Sequence, residues 1–303
     1  MPEAHPLRAA DESLPWLADL IPSRVDVTGR LDDRDAHALL LVTPQLGRKA
    51  ALARQLGRGE AAGIDVVHAG VRRLLERGAL PSLATLHVRC DPADTFAESV
   101  VAGISRACRG NEISVCATSG PAVGGLELVL HLVGAVIAPE SRTPKAGDQL
   151  LALRSAGPVD GDIDLLRERS AALGLDLTSA VPGGDHVGDV LTAARRSHID
   201  VVQQPLREQW PSAIAAVESS LVATAEALLP AGLGIAWELE RWEPPSPFSH
   251  WFRTADERAR AAQMSSCGAG MIICCDDQQS SAWQALCEAW NEPATPIARI
   301  VAR

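Results

Sequence analysis

The sequence contains no tyrosine and only two lysines, Lys49 and Lys145, beside 26 arginines. No tyrosine can act as an acid or base, and a lysine nucleophile or phosphate-binding lysine has only two candidates. The seven cysteines form no CxxC pair, so neither a disulfide framework nor a zinc motif is indicated. No stretch reaches the roughly 18 to 20 apolar residues of a membrane-spanning helix, and no leader pattern opens the chain. These absences predict a cytoplasmic protein without a membrane partner.

The composition is that of a folded, acidic protein. The chain has 303 residues, of which 47% are hydrophobic and 22% charged, enough for a sizeable core and typical of two domains. Its formal net charge of −10 disfavours nucleic acid as a partner, because phosphate contacts require clustered cations.

Apolar runs and helix signals alternate along the chain and predict a mixed α/β protein. Residues 1–35 are polar and proline-broken, which is typical of an extended arm. The polar segment 139–148 favours a boundary, giving domains at 36–142 and 143–303. Predicted strands are 37–43, 83–88, 113–117, 126–138, 150–153, 235–239, 271–275 and 296–301. Predicted helices include 65–77, 162–173 and 213–229, with capping boxes at Thr95/Glu98, Thr254/Glu257 and Ser281/Gln284.

Three segments carry a family resemblance: GIDVVHAGVRRLLERGALPSL (63–83), AGDQLLALRSAGP (146–158) and CGAGMII (267–273). They resemble aminoimidazole ribonucleotide synthase, the PurM-type cyclo-ligase of purine biosynthesis. Its superfamily includes thiamine-phosphate kinase, selenophosphate synthetase and a hydrogenase maturation factor. The resemblance implies an α/β (α+β), PurM-like two-domain fold. Its N-terminal sheet with helices would form a barrel across a homodimer interface, and a mixed α/β domain would follow.

The resemblance also implies ATP in a cleft between the domains. In the cyclo-ligase, ATP activates the formyl oxygen of formylglycinamidine ribonucleotide as a phosphate ester, and ring closure expels it. Such chemistry uses magnesium held by carboxylates and glycine-rich loops that bind phosphate.

The first signature of the family, a glycine-rich turn with an aspartate, reads TPQLGRK at residues 43–49. Gly47 and Lys49 remain, while the aspartate and the other glycines are missing. Lys49 is therefore either a residual phosphate ligand or an ordinary lysine in the first turn of a helix.

The second block has Arg72 and Arg73 where the family has Asn-Asp on a helix. Arginine cannot replace a carboxylate as a metal ligand, so no metal site is expected here. Arg72 either pairs with Glu76 on an exposed helix face, or one of the two arginines fills the cleft or binds a phosphate. Asp65 matches the family's GID, and a helix-start aspartate explains it equally well.

Further positions depart from the pattern or carry no chemistry of their own. His87 stands for a strand aspartate and Ser119 for the glutamate of a Gly-Gly-Glu-Thr turn. Gly268 and Gly270 are kept, although close packing alone explains them. Cys267 beside them is interpreted as structural.

The second half departs likewise. Asp160 and Asp162 replace a phosphate-binding His-Ser-Asn-Gly loop and are expected to cap their own helix. The family's Gly-Gly-Gly turn falls near Glu218, within the helix predicted over 213–229.

Three hypotheses follow. The first is a divergent binding or scaffold homologue, a pseudoenzyme that has lost magnesium-ATP chemistry and for which no cofactor is expected. The second is an active ATP-dependent enzyme, either the cyclo-ligase or a small-molecule kinase, with ATP and magnesium; Asp32 and Asp33 support it by matching an Asp-Asp pair of the kinase branch. The third is a magnesium-independent sensor of a nucleotide or phosphometabolite that uses Lys49, Arg72 and Arg73.

Overall fold

The computed structural model describes residues 14–21, 38–121, 125–137, 143–245 and 248–303. Asp32, Asp33 and most of the predicted arm lie outside these residues. Within them, no helix is long and apolar enough to cross a membrane.

The first half of the chain builds a four-stranded sheet with helices on one face. Its elements are α1 (Pro15–Leu20), β1 (Ala38–Val42), α2 (Arg48–Gln55), α3 (Gly59–Glu76), β2 (Ala79–Cys90), α4 (Thr95–Gly110), β3 (Ser114–Pro121) and β4 (Glu127–Val136). The strand order is β1-β4-β2-β3, with β2 and β3 parallel and the other pairs antiparallel. Alternation along β2 turns Ala84, Leu86 and Val88 toward the helices, where they are fully buried.

Helices α3 and α4 are in close contact because each has a glycine at their crossing. A Cβ on Gly63 would lie 2.0 Å from the carbonyl oxygen of Val100, and one on Gly103 would lie 2.1 Å from that of Glu60. Only glycine permits this approach of the two backbones.

The second half builds a five-stranded antiparallel sheet. Its elements are β5 (Gln149–Arg154), α5 (Ile163–Ala172), α6 (Val187–Thr192), α7 (Ile199–Arg207), β6 (Ala213–Ala216), α8 (Leu221–Ala227), β7 (Leu233–Trp237), α9 (Phe248–Trp251), α10 (Ala255–Met264), β8 (Ala269–Cys275), α11 (Asp277–Ala289) and β9 (Ala294–Ala302). The strand order is β6-β8-β5-β9-β7. The first sheet ends at Val136 and the second begins at Gln149, while the division into domains at 142/143 stays a prediction.

The second sheet is buried on both faces, and one face joins the core of the first half. Leu151, Leu153 and Ile273 belong to the same apolar cluster as the inner face of the first sheet. Their neighbours along the strands, including Leu150 and Ile272, face a second cluster that contains Trp242 and Trp251. The two halves are therefore packed together around α3, which contacts both β6 and α7.

Two local expectations about elements prove wrong. Part of the predicted arm is a helix, α1, whose flanking and internal side chains Leu14, Leu17 and Ile21 are buried in the main core. The helix predicted over 213–229 divides into strand β6, a loop at 217–220 and helix α8, because residues 213–216 pair with β8.

Two predicted caps also differ from the observed ones. Asp94, not Thr95, caps α4 by accepting hydrogen bonds from the amides of Phe96 and Ala97, and Asp276, not Ser281, caps α11. The capping box of Thr254 and Glu257 at α10 is confirmed.

Candidate functional site

A cleft of about 420 Å³ lies between the two halves of the molecule. The loop between β1 and α2 and one side of α3 form its first wall. Asp160, Arg195 and Glu218 of the second half form the opposite wall. Its charged lining residues are Lys49, Asp65, Arg73, Asp160, Arg195 and Glu218, three cations and three anions.

Lys49 enters the cleft from the first turn of α2 and is 4% exposed. Its ammonium donates hydrogen bonds to Oδ1 of Asp65 at 2.8 Å and to the carbonyl oxygen of Pro158 at 3.0 Å. Burial lowers the pKa of Lys49 to about 8 against the opposing attraction of Asp65. Lys49 is thus a buried ion-pair partner that bridges the two halves, and the expectation of a solvated first-turn lysine is wrong.

Asp65 is the anion at the centre of the cleft. Besides Lys49, it accepts hydrogen bonds from the backbone amide, Nε and Nη2 of Arg195, all at 2.8 to 2.9 Å. Burial alone would raise the pKa of Asp65, but Lys49 and Arg195 hold it well below its usual range. Both carboxylate oxygens therefore have cationic partners.

Arg195 continues the network to Glu218 in the loop between β6 and α8. Its Nη1 donates to Oε2 of Glu218 at 3.0 Å, while Nη2 of Arg72 donates to Oε1 at 3.1 Å. Burial would raise the pKa of Glu218, yet these two guanidinium groups hold it below its usual range.

Arg72 is fully buried, so the interpretation as an exposed pair with Glu76 is wrong. It fills space beneath the cleft, where Glu218 and the carbonyl oxygen of Arg196 accept its hydrogen bonds. Burial lowers the pKa of Arg72 to about 10, which leaves it charged at neutral pH.

Arg73, the next residue of α3, is exposed and lines the cleft directly. Within the described part of the chain no hydrogen bond or ion pair engages its guanidinium, although its charge helps to lower the pKa of Glu218. It is therefore the cation of the cleft best placed to meet an incoming anion.

Asp160 does not cap its own helix, contrary to expectation. Its Oδ1 accepts a hydrogen bond at 2.8 Å from the backbone amide of Lys49, at the start of α2 in the other half. Asp162 is fully buried and accepts hydrogen bonds from the amides of Val159 and Ser266 and from the Ser266 hydroxyl.

The remaining predicted residues lie away from the cleft. His87 is exposed on the outer face of the first sheet and hydrogen-bonds Thr118 at 2.9 Å. Ser119 lies near the end of β3, opposite Val88 of β2. Gly268 has a φ of +78°, and a Cβ there would lie 2.5 Å from Pro245. A Cβ on Gly270 would lie 2.4 Å from Nε2 of the buried His198, so packing accounts for both glycines.

The sequence interpretation missed Arg195 and misplaced Asp160 and Glu218. No motif marks Arg195, which lies in an irregular segment after α6 and reaches Asp65 across 130 residues. Cys267 is fully buried, and burial raises its thiol pKa to about 12, which disfavours a reactive thiolate.

Two of the three carboxylates that line this cleft, those of Asp65 and Glu218, do not fit a magnesium ion. Magnesium binds open carboxylate oxygens, whereas the oxygens of Asp65 and Glu218 already accept hydrogen bonds from lysine or arginine. Across the part of the chain that the structure describes, no three His, Cys, Asp or Glu side chains are grouped as a metal site.

Known proteins resemble this chain in sequence. No protein-family model matches the chain. A phosphoribosylformylglycinamidine cyclo-ligase from Methylobacillus flagellatus is 30% identical over 281 residues, which cover 86% of this chain and 79% of the relative. The chain therefore belongs to the phosphoribosylformylglycinamidine cyclo-ligase family, as the motif resemblance predicted.

Solved structures agree on the fold. A thiamine-monophosphate kinase from Stenotrophomonas maltophilia matches with a TM-score of 0.63 at 16% identity, over 88% of this chain and 83% of the kinase. Hydrogenase maturation protein HypE in complex with ATP matches with a TM-score of 0.58 at 18% identity, over 95% of this chain and 82% of the neighbour. The predicted PurM-like α/β fold is thereby confirmed.

Proposed function

We propose that the protein is an ATP-dependent enzyme of its family that binds a nucleotide in the cleft between its halves. Family membership supports this function, since the relative is named as a cyclo-ligase and a structural neighbour is described in complex with ATP. The observation that carries the proposal is the cleft itself, about 420 Å³ in volume and lined by Lys49, Arg73 and Arg195. Its reaction class would be ATP-dependent ring closure in purine biosynthesis, or phosphorylation of a small molecule.

The cations of the cleft would have different roles in such an enzyme. Arg73 is exposed and would bind a phosphate group of the ligand. Lys49 and Arg195 are engaged by Asp65 and would keep the two walls in register. Asp65 and Glu218 are paired with cations and would not hold magnesium, so Arg73 would be the side chain that meets the charge of the ligand.

A second candidate is a binding homologue that has lost magnesium-ATP chemistry. The specific observation in its favour is that Asp65 and Glu218 are each held by two cationic side chains. The named relatives support the enzyme better than this role. The two candidates share the cleft and differ in turnover.

Calorimetric titration with ATP, with magnesium or with EDTA, tests the proposal alongside an assay for conversion of phosphoribosylformylglycinamidine and of thiamine monophosphate. If the protein is such an enzyme, we expect it to bind ATP and to convert one of the two substrates. Arg73→Ala is expected to weaken both the binding and the conversion. Arg77→Ala is the matched control, because it removes the same charge one turn later, at the C-terminal end of α3 and outside this cleft.

ATP binding without turnover would favour the binding homologue. ATP binding of equal strength with magnesium and with EDTA is the result expected if Asp65 and Glu218, which are paired with cations, do not hold magnesium. Absence of ATP binding under both conditions would overturn the enzyme.

A further inference from the structure

Asp160 is an anion of the second half that lies against the start of a helix in the first half. Its carboxylate accepts the backbone N–H of Lys49 at 2.8 Å, across 111 residues of sequence. Helix α2 has no side-chain cap of its own, since its N-cap residue is Gly47. The Asp160 carboxylate therefore caps the N-terminal end of α2, whose free N–H groups and positive dipole favour an anion.

The contact is close because Gly47 has no side chain. A Cβ at Gly47 would lie 2.5 to 2.7 Å from all three terminal atoms of the Asp160 carboxylate. Atoms at that distance overlap, so any other residue at position 47 would push the carboxylate out. The absence of a side chain at Gly47 therefore leaves room for the Asp160 carboxylate at the start of α2, where it borders the cleft.

The backbone that carries Asp160 is fixed while its side chain borders open space. Asp162, two residues on, is fully buried and anchors the segment to Val159 and Ser266. Asp160 itself is half-buried and lines the cleft. Another staggered rotamer of this side chain would uncover the N–H of Lys49.

An anionic ligand bound in this cleft would come near the Asp160 carboxylate, because Asp160 and Arg73 both line it. Arg73 offers an open guanidinium, whereas the ammonium of Lys49 is held by Asp65 and Pro158. A phosphate that extends from Arg73 to the start of α2 would lie beside Asp160, and two anions in such proximity repel each other.

We propose that Asp160 is a specificity-determining residue, an internal anion that competes with the phosphates of the ligand for the start of α2. The inference rests on the proposed function only in placing the ligand in this cleft. A polyphosphate, including that of the proposed nucleotide, then binds only by displacing the Asp160 carboxylate, and this displacement weakens its binding.

The test is calorimetric titration with inorganic pyrophosphate in EDTA, comparing the wild type with Asp160→Asn. Asparagine keeps an oxygen that can cap α2 and loses the charge. The expected result is a dissociation constant about tenfold lower for Asp160→Asn, with a smaller ratio at high salt. Asp256→Asn, an exposed aspartate outside the cleft, is the matched control and is expected to change the constant less than about twofold.

Thermal denaturation establishes that the variants are folded, and Asp160→Ser is the second variant if the asparagine form is not. Equal or weaker pyrophosphate binding by the folded variant overturns the inference, and so does absence of binding by both proteins. ATP turnover by the wild type is measured separately. If the two pyrophosphate dissociation constants differ tenfold but the wild type does not turn over ATP, only the proposed enzyme is overturned. If the wild type turns over ATP but the two constants are equal, only the inference about Asp160 is overturned.

Discussion

Asp65 and Glu60 lie five residues apart on α3 and both pair with arginine, yet their surroundings differ. The Asp65 side chain is 11% exposed and is held by Lys49 and Arg195, whereas Glu60 and its partner Arg106 are largely exposed. Breaking a buried pair leaves an uncompensated charge out of water, while breaking an exposed pair leaves a solvated one. The same loss of charge should therefore have different consequences at the two positions.

We predict that Asp65→Asn lowers the free energy of unfolding by about 3 to 5 kcal/mol, since it leaves Lys49 and Arg195 partly unpaired. Glu60→Gln is expected to cost about 1 kcal/mol or less. Urea denaturation of both variants measures the difference. Equal losses would show that the Asp65 network adds nothing beyond an exposed pair.

The same network predicts how stability depends on acid. The pKa of Asp65 in the fold is held below its value in the unfolded chain by Lys49 and Arg195, against the effect of burial. Its contribution is therefore present above about pH 4 and is lost as the pH falls further. Repeating the urea series toward acid should show a smaller loss in Asp65→Asn than in the wild type.

Part of this site could be predicted from the residues alone. Lys49, Asp65 and Arg73 lie in segments with a recognisable pattern, and the structure places all three on the cleft. Arg195 and the partner of Asp160 could not be predicted, because contacts across more than 100 residues leave no local signal. The buried state of Arg72 was unpredictable for the same reason, since its partner Glu218 was assigned to a helix.

At the scale of the elements, short apolar runs predicted most strands, and tertiary pairing decided the exceptions. The segment 213–229 is rich in alanine and leucine, which favour a helix. Its first four residues instead extend the second sheet beside β8, where Ile214 and Ala215 become buried. The helices α6 and α7 were not predicted, and α7 contains Pro205, which normally signals a break.

The crossing of α3 and α4 provides a prediction at this scale. Gly63→Ala would place a Cβ 2.0 Å from the carbonyl oxygen of Val100, so the helices must separate. We expect a loss of about 3 kcal/mol in the free energy of unfolding, at the upper end for an overpacked core. Chemical denaturation followed by circular dichroism measures it.

The matched control is Gly110→Ala at the end of α4, where nothing lies within 4 Å of an added Cβ. Alanine is favoured over glycine in helices, so this variant should be neutral or up to about 1 kcal/mol more stable. A neutral Gly63→Ala would contradict the close backbone contact.

At the scale of the whole molecule, the two faces of the first sheet are unequal. The inner face is covered by α3 and α4, while the outer face exposes Leu39, Leu41 and Val129 by 58%, 57% and 41%. Leu41 lies on the edge strand β1, opposite Val133 of β4. An apolar surface on a sheet with an open edge favours association with another chain.

We propose that this outer face joins two copies of the chain, as the family resemblance implies for a homodimer with a shared barrel. Leu41→Lys is expected to convert the dimer to a monomer, because a lysine ammonium loses its hydration when buried between two sheets. Met264→Lys is the matched control, since Met264 is 63% exposed at the end of α10 in the second half. Sedimentation velocity over a range of concentrations compares the three proteins. A monomeric wild type, or a dimer that persists in Leu41→Lys, would contradict an interface on this face, and Met264→Lys is expected to stay dimeric.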